Sequence, residues 1–350
     1  LEIGMNYKSA LPDYYGDFYS YVAGYETQET GNTIPDVIVP TGGYIIPKET
    51  PFALEGSSSP MYPEYTFNWE QNDATSEVFW NDTESSEFPF FNPVMGPLFT
   101  TVDPSQEGYR RTFPSMSSLI NNEYETYHEN WGSPTSLVVE KLPFASREIN
   151  MRMVVRTNDP FAGSVNHKNV QFFVAGTAGP FRVTSQSDVT VWEVGSQQTV
   201  TWDVANTNDP DSVNCQSVDL LLSLNGGESF DFVISENVSN NGSYTFTVPP
   251  TPPTVSGRLM VRASDNIFFD INNGNITIQN NNVPSLALSQ SNIDISLVGN
   301  TMETFSVEVT NDGEEGSVIS FVTYPGKDLL MNEKFSGGAI PIGWSTTTNA

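Results

Sequence analysis

Two stretches, Tyr65-Thr-Phe-Asn-Trp-Glu70 and Gln198-Thr-Val-Thr-Trp-Asp-Val204, decide the fold. In each, apolar residues (Tyr65, Phe67, Trp69; Val200, Trp202, Val204) alternate with polar ones. Successive side chains of a strand point to opposite faces, so this period of two marks a half-buried β-strand and excludes an amphipathic helix. Trp69 is the expected core tryptophan.

Working outward, the same texture recurs. Asp36-Val-Ile-Val-Pro40 and Tyr44-Ile-Ile-Pro47, split by Gly42-Gly43, read as short strands, as does Pro51-Phe-Ala-Leu-Glu-Gly56. Regular strands resume at Ile149–Arg156 and Val170–Val174. Before Ile149, residues 72–135 hold too few periodic segments for a simple loop, yet their aromatics and prolines point to an ordered excursion. Gly176-Thr-Ala-Gly-Pro180 reads as a boundary. Beyond it, Phe181–Thr184, Gln198–Val204, Val218–Ser223, Tyr244–Val248, Arg258–Arg262 and Asn275–Ile278 follow at short intervals. That density of short strands, roughly seven in a hundred residues, is the immunoglobulin-like count. The fold class is therefore all-β: tandem immunoglobulin-like or fibronectin-like β-sandwich domains. The expected division is a Tyr-rich extended segment at 1–34, a sandwich with a long insertion at 35–177, and a second sandwich at 178–280. A short β-unit at 284–325 and the start of a jelly-roll-like domain at 327–350 complete it. Leu1, and the unclosed pattern after Gly326, read as the ends of a fragment or of a mature product.

Composition narrows the function. Fourteen Lys+Arg against 42 Asp+Glu give a net charge of −28 over 350 residues. Such a chain repels phosphate backbones, which excludes direct nucleic-acid binding. No apolar run is long enough to span a bilayer as a helix. Only 16% of residues are charged, and cations are absent from Glu49 to Tyr109, Val183 to Gly257 and Ala263 to Gly326. With a single cysteine, Cys215, there is no disulfide framework within the chain. This is the profile of an extracellular or outer-cell-surface β-protein.

Candidate chemistry is sparse. A zinc peptidase needs two His one helical turn apart with a Glu base, whereas His128 and His167 are far apart in sequence. No catalytic residue is assigned. Asp203, Asp209 and Asp211, with Asn206 and Asn208 between them, crowd hard oxygen ligands into one loop, and calcium is the one cofactor such a loop suits. Asx-rich turns also form without metal. Asp265, Asp270, Asn272 and Asn273 make a weaker second cluster. Asn225-Gly226 is expected to build a type I′ hairpin turn with Phe230 folding back on it. It looks like the Asp-box hairpin of secreted β-proteins, with Asn in place of Asp. Sequons stand at Asn81, Asn237, Asn241 and Asn275. Trp80, Trp131 and Trp192 look exposed and would suit a carbohydrate ligand, but buried core tryptophans are the more frequent explanation.

A series of segments carries a family resemblance. It runs through Gly43-Tyr-Ile-Ile-Pro-Lys-Glu-Thr-Pro-Phe-Ala-Leu-Glu-Gly56, Thr66–Gln71, Gly96–Phe99, Arg110–Pro114 and Arg147–Arg156. It continues with Ala178–Ser185, Gln198–Val204, Val218–Ser223 and Asn266–Ile271. In that order, over residues 31–279, the chain resembles the β-sandwich region that follows the reprolysin-like (metzincin) zinc-metallopeptidase domain in secreted Bacteroidota proteins. The resemblance implies export by the type IX secretion system. It implies as partners that machinery or cell-surface components, and extracellular protein or glycan. Asp211-Ser-Val213 then resembles the Bacteroidota O-glycosylation site, with Ser212 as acceptor. Where the family carries an Asp-rich calcium turn, this chain has Ser57-Ser-Ser-Pro-Met-Tyr-Pro63. The implied role is a non-catalytic spacer, adhesion or substrate-docking region. The alternatives are accessory domains of a peptidase whose catalytic domain lies outside this chain, or a carbohydrate-binding module.

Overall fold

The computed structural model describes residues 34–73, 94–128, 137–159, 163–281, 285–289, 309–314 and 317–318. Its elements begin with strands β1 (Asp36–Ile38), β2 (Ile45–Pro47), β3 (Phe52–Glu55), β4 (Ser57–Ser59), β5 (Thr66–Gln71) and β6 (Arg110–Phe113). A five-residue helix α1 (Met116–Ile120) precedes β7 (Glu125–His128), β8 (Leu137–Lys141), β9 (Arg147–Arg156) and β10 (Val165–Ala175). The next set is β11 (Arg182–Val183), β12 (Thr190–Glu193), β13 (Gln197–Asp203), β14 (Ser217–Ser223) and β15 (Phe232–Ser239). It ends with β16 (Ser243–Thr247), β17 (Thr254–Ala263), β18 (Phe269–Ile271) and β19 (Ile276–Gln279). Last come β20 (Leu286–Leu288) and β21 (Val309–Asn311), which pair antiparallel. The chain is all-β, as its alternation requires.

The strands up to β10 form one sandwich. One sheet runs β2-β10-β9-β5, with β2 parallel to β10. Across from it lie the pairs β1-β4 and β3-β6. Phe52 of β3 stacks on Phe113 of β6 and meets Phe172 of β10 edge-on at 5.2 Å, which joins the two layers. Period-two burial is clear along β9, where Ile149, Met151, Met153 and Val155 face inward and Glu148, Asn150, Arg152 and Arg156 do not. Tyr65, Phe67 and Trp69 are buried as the alternation predicts, and the Trp69 indole Nε1 donates to the Tyr109 carbonyl at 3.0 Å.

The strands from β11 to β19 repeat the scheme. A three-stranded sheet β11-β13-β16 faces β12-β19-β17-β14-β15, and β12 is parallel to β19. β18 and β19 follow one another along the same flank of β17. Trp192 on β12 reaches across to Phe246 on β16 at 5.5 Å. Trp192 is fully buried, as the core reading expects, and is not an exposed glycan platform. Its indole N–H has no hydrogen-bond partner among the described residues, a desolvation cost of about 1–3 kcal/mol that the packing of the ring must offset. Trp80 and Trp131 lie outside the described residues, as do positions 1–33 and 319–350.

The hairpin between β14 and β15 is present, but its turn differs from expectation. Positive φ falls on Gly226 and Gly227, not on Asn225. Asn225 acts through its side chain instead: Oδ1 accepts from the Ser229 amide at 3.1 Å and from the Ser223 hydroxyl at 2.8 Å. An Asx side chain can thus replace the backbone geometry of a type I′ turn. Phe230 packs against the apolar cluster that includes Leu221 and Met260.

Candidate functional site: the clamp between the sandwiches

Of the excursion expected over 72–135, residues 74–93 and 129–136 lie outside the described ones, and the described part between β6 and β9 is the distinctive feature. Ser115 caps α1, its Oγ accepting from the Ser118 amide at 3.3 Å. Asn122, at φ +63°, ends the helix, where a left-handed residue commonly does. The helix lies on the outer face of the second sandwich. Leu119 packs with Leu221, Met260, Phe269 and Ile271 in an apolar cluster separate from the main core, with Met116 and Ile120 around it.

Arg258 fastens this contact. It projects from β17, is 3% exposed, and donates from Nη1 to the Ile120 carbonyl at 3.0 Å and from Nε to the Asn272 carbonyl at 3.0 Å. Burial lowers its pKa, against the raising influence of Tyr124 and Asp270. Satisfied carbonyl acceptors are what make such a buried cation tolerable.

Asp270 on β18 is the second tie. Its Oδ1 accepts from the Tyr124 hydroxyl at 3.1 Å and its Oδ2 from the Val183 amide at 2.8 Å. The Arg182 guanidinium lies 3.8 Å from the Tyr124 ring centre and donates to the Glu49 carbonyl at 2.5 Å. Burial pushes the Asp270 carboxyl up to about 6, and Arg182, the Val183 amide and the Tyr124 hydroxyl hold it from going higher. Burial likewise raises the Tyr124 phenol. Asp270 is thus committed to the junction, while Asn272 Oδ1 accepts from the Leu259 amide of its own sandwich at 2.7 Å.

The backbone joins in as well. The Ala53 amide donates to the Ile267 carbonyl and the Phe269 amide to the Pro51 carbonyl, both at 2.9 Å. Gly179, at φ +97°, brings the chain against Lys48, where an added Cβ would collide with the Lys48 carbonyl. The excursion is anchored on the first sandwich by the buried pair Arg111–Glu140, whose Glu140 Oε2 also accepts from the Thr126 hydroxyl at 2.8 Å. One hydrophobic core cluster runs from Trp69 through Phe181 to Ile278.

The acids singled out in the sequence stand elsewhere. Asp203 ends β13, and its Oδ1 accepts from the Ala205 amide at 2.9 Å. Asp209 Oδ1 accepts from the Asp211 amide at 3.0 Å. These are Asx turns, and no group of three His, Cys, Asp or Glu with metal-holding geometry occurs among the described residues. Ser212 is half-buried between exposed Asp211 and buried Val213. The backbones of His128 and His167 sit in different sheets, on β7 and β10. Cys215 is buried, its thiol pushed up to about 12 by burial and donating to the Ser217 carbonyl, which makes it a poor nucleophile.

No family model matches the chain, and no curated protein matches it either. Solved structures with a similar fold include the fibronectin(III)-like modules of Clostridium thermocellum CbhA. These are 10% identical, covering 70% of this chain and 95% of that one, with a TM-score of 0.22. The tandem Ig repeats of Dlar are 11% identical, with coverages of 70% and 98% and a TM-score of 0.32. Drosophila N-cadherin EC1-4 is 10% identical, with coverages of 88% and 68% and a TM-score of 0.21. Superpositions at these TM-scores carry no argument, and the fold class stands on the strand order itself. No helix among the described residues is long and apolar enough to cross a membrane.

Proposed function

We propose that this chain is a non-catalytic spacer in a secreted or cell-surface protein, built as a stiff two-sandwich rod. The clamp supports this reading: Arg258, Asp270 and Tyr124 bond across the junction while Leu119 covers an apolar patch on the second sandwich. A flexible linker would leave those groups to water. The sequence resemblance adds a bacterial type IX secretion context, with that machinery or cell-surface components, or extracellular protein or glycan, as partner. Ser212 as an O-glycan acceptor and calcium at Asp203, Asp209 and Asp211 belong to the same proposal. Intact mass of the native protein and calcium titration by calorimetry test those two points.

The rod itself is tested by pulsed electron resonance between spin labels at Lys168 and Val191, both exposed and on different sandwiches. A single narrow distance distribution is expected; a broad one overturns the rod. Metal-dependent cleavage of casein by the purified chain would overturn the non-catalytic reading. The resemblance over residues 31–279 supports a second reading, in which the rod serves a zinc peptidase encoded on the same chain. An H-E-x-x-H-x-x-G-x-x-H motif upstream of Leu1 in the gene would support that reading.

A further inference from the structure

The outer face of the first sandwich carries a groove that the spacer role does not use. Asn169, Gln171 and Phe173 of β10 stand opposite Arg152, Asn150 and Glu148 of β9. Two of these pairs are fixed by hydrogen bonds: Arg152 Nε donates to Asn169 Oδ1 at 3.0 Å, and Gln171 Nε2 to Asn150 Oδ1 at 2.9 Å. Asn150 Nδ2 in turn donates to Asp73 Oδ1 at 2.7 Å. The planar amides are held in place before any ligand arrives.

The Gly42-Gly43 turn then lays the chain beside β10. The Gly43 amide donates to the Gln171 carbonyl at 2.8 Å, and the Phe173 amide to the Tyr44 carbonyl at 2.9 Å. Gly42 has φ +78°, and an added Cβ would sit 2.8 Å from the Gln171 oxygen, so the approach requires glycine. The result is an open groove of about 410 Å³ lined by Thr41, Tyr44, Glu148, Asn169, Gln171 and Phe173. Phe173 is 44% exposed, and the Glu148 carboxylate has no hydrogen-bond partner among the described residues.

We propose that this groove binds a neutral oligosaccharide, with Phe173 under the C–H face of a sugar ring and Glu148, Asn169 and Gln171 meeting its hydroxyls. The size suits one or two sugar rings, and the lining has the mixed apolar and convergent polar character of small-ligand sites. Charge narrows the class, since a chain of −28 with a free carboxylate in the groove repels uronic and sialic acids. An added peptide strand is disfavoured because Gln171 O and Phe173 N, the backbone groups beside the groove, already bond to Gly43 and Tyr44. Side chains are what remains for recognition. The proposal stands apart from the rod, since a stiff spacer needs no ligand.

The test is titration calorimetry of the full chain with cellohexaose, xylohexaose, mannohexaose, laminarihexaose and, as acidic control, hexagalacturonate. At least one neutral hexaose is expected to saturate the protein. Phe173→Ala and Gln171→Ala each weaken it by about tenfold or more, Val191→Ala on the second sandwich leaves it unchanged, and hexagalacturonate gives no heat. Should Phe173→Ala fail to fold, Phe173→Leu removes the ring but keeps apolar volume and carries the same expectation. The proposal is overturned if no neutral hexaose saturates by about 10 mM, or if binding survives loss of the Phe173 ring. It is equally overturned if a lysine-rich decapeptide binds with the same residue dependence while no sugar does.

Discussion

The sheets β2-β10-β9-β5 and β12-β19-β17-β14-β15 share a strand order over four strands, down to the parallel pairing of an early short strand with the last one, and β15 extends the second. Their inner faces are alike. Their outer faces are opposites. On the second sandwich the outer face holds Leu221 and Met260 and is covered by Leu119 of the excursion. On the first it holds Asn150, Arg152, Asn169 and Gln171, bonded to one another. The fold fixes which residues are inside the sandwich, but what the outside does is free to diverge. One face has become a joint and the other presents a surface.

The largest effect should come from the joint. Arg258→Met leaves the Ile120 and Asn272 carbonyls without their charged donor and should cost about 3 kcal/mol in urea unfolding, since hydrogen bonds to charged groups are worth about 1.5–3 kcal/mol each. Arg152→Met, at the matching surface of the first sandwich, should stay within about 0.5 kcal/mol, as surface changes usually do. Equal losses would break the comparison.

Acidity separates two carboxylates of the second sandwich. Asp270 has its pKa raised by burial from 3.8 to about 6, so the folded state binds its proton more tightly than the unfolded chain does. Its contribution is therefore fully present below pH 3.8 and is lost as pH climbs to about 6. Burial also pushes Asp219 up, but the Asn237 amide, the Ser264 hydroxyl and Arg262 together hold it below 3.8. Asp219 contributes stability above pH 3.8 that disappears as pH falls through its lowered value. Relative to Asp270→Asn, the wild type should lose up to about 3 kcal/mol on going from acid to neutral pH, at about 1.4 kcal/mol per pKa unit. Parallel stability curves for the two proteins would show that the junction carboxylate is not the titrating group.

Leu119→Ala tests the cover itself. Truncating a buried Leu costs about 2–5 kcal/mol in a closed core. Leu119 sits in a small cluster that can relax, so about 2 kcal/mol is expected, with faster amide exchange at Leu221 and Met260. Unchanged exchange would mean that α1 does not protect the sheet. The smallest effect should be Thr199→Val. Its hydroxyl bonds that of Thr245 at 2.9 Å on the exposed face of β13, and its loss should shift stability by less than about 0.5 kcal/mol.

Much of this was legible in the chain. Period-two alternation placed β5, β9 and β13 and marked Trp69 as core, because a strand's two faces are written directly into its sequence; β14 is instead a nearly unbroken buried run. Other elements left no such trace. β12 and β18 are three or four residues long, and α1 has five, shorter than two helical turns, so no period can establish itself. The carboxylates misled for a related reason. Asp270 reads in sequence like Asp203, yet one is buried beneath Tyr124 and the other closes a surface turn.

The sequence by itself determined the class: an acidic, all-β chain whose alternating apolar residues must be buried between sheets, since that is the only way to remove them from water. Only the tertiary structure decided which outer face is covered and which is open. Ile120 meets Arg258 across 138 positions and Tyr124 meets Asp270 across 146. Contacts at that separation depend on how two finished sandwiches and one excursion come together, and local patterning does not encode it.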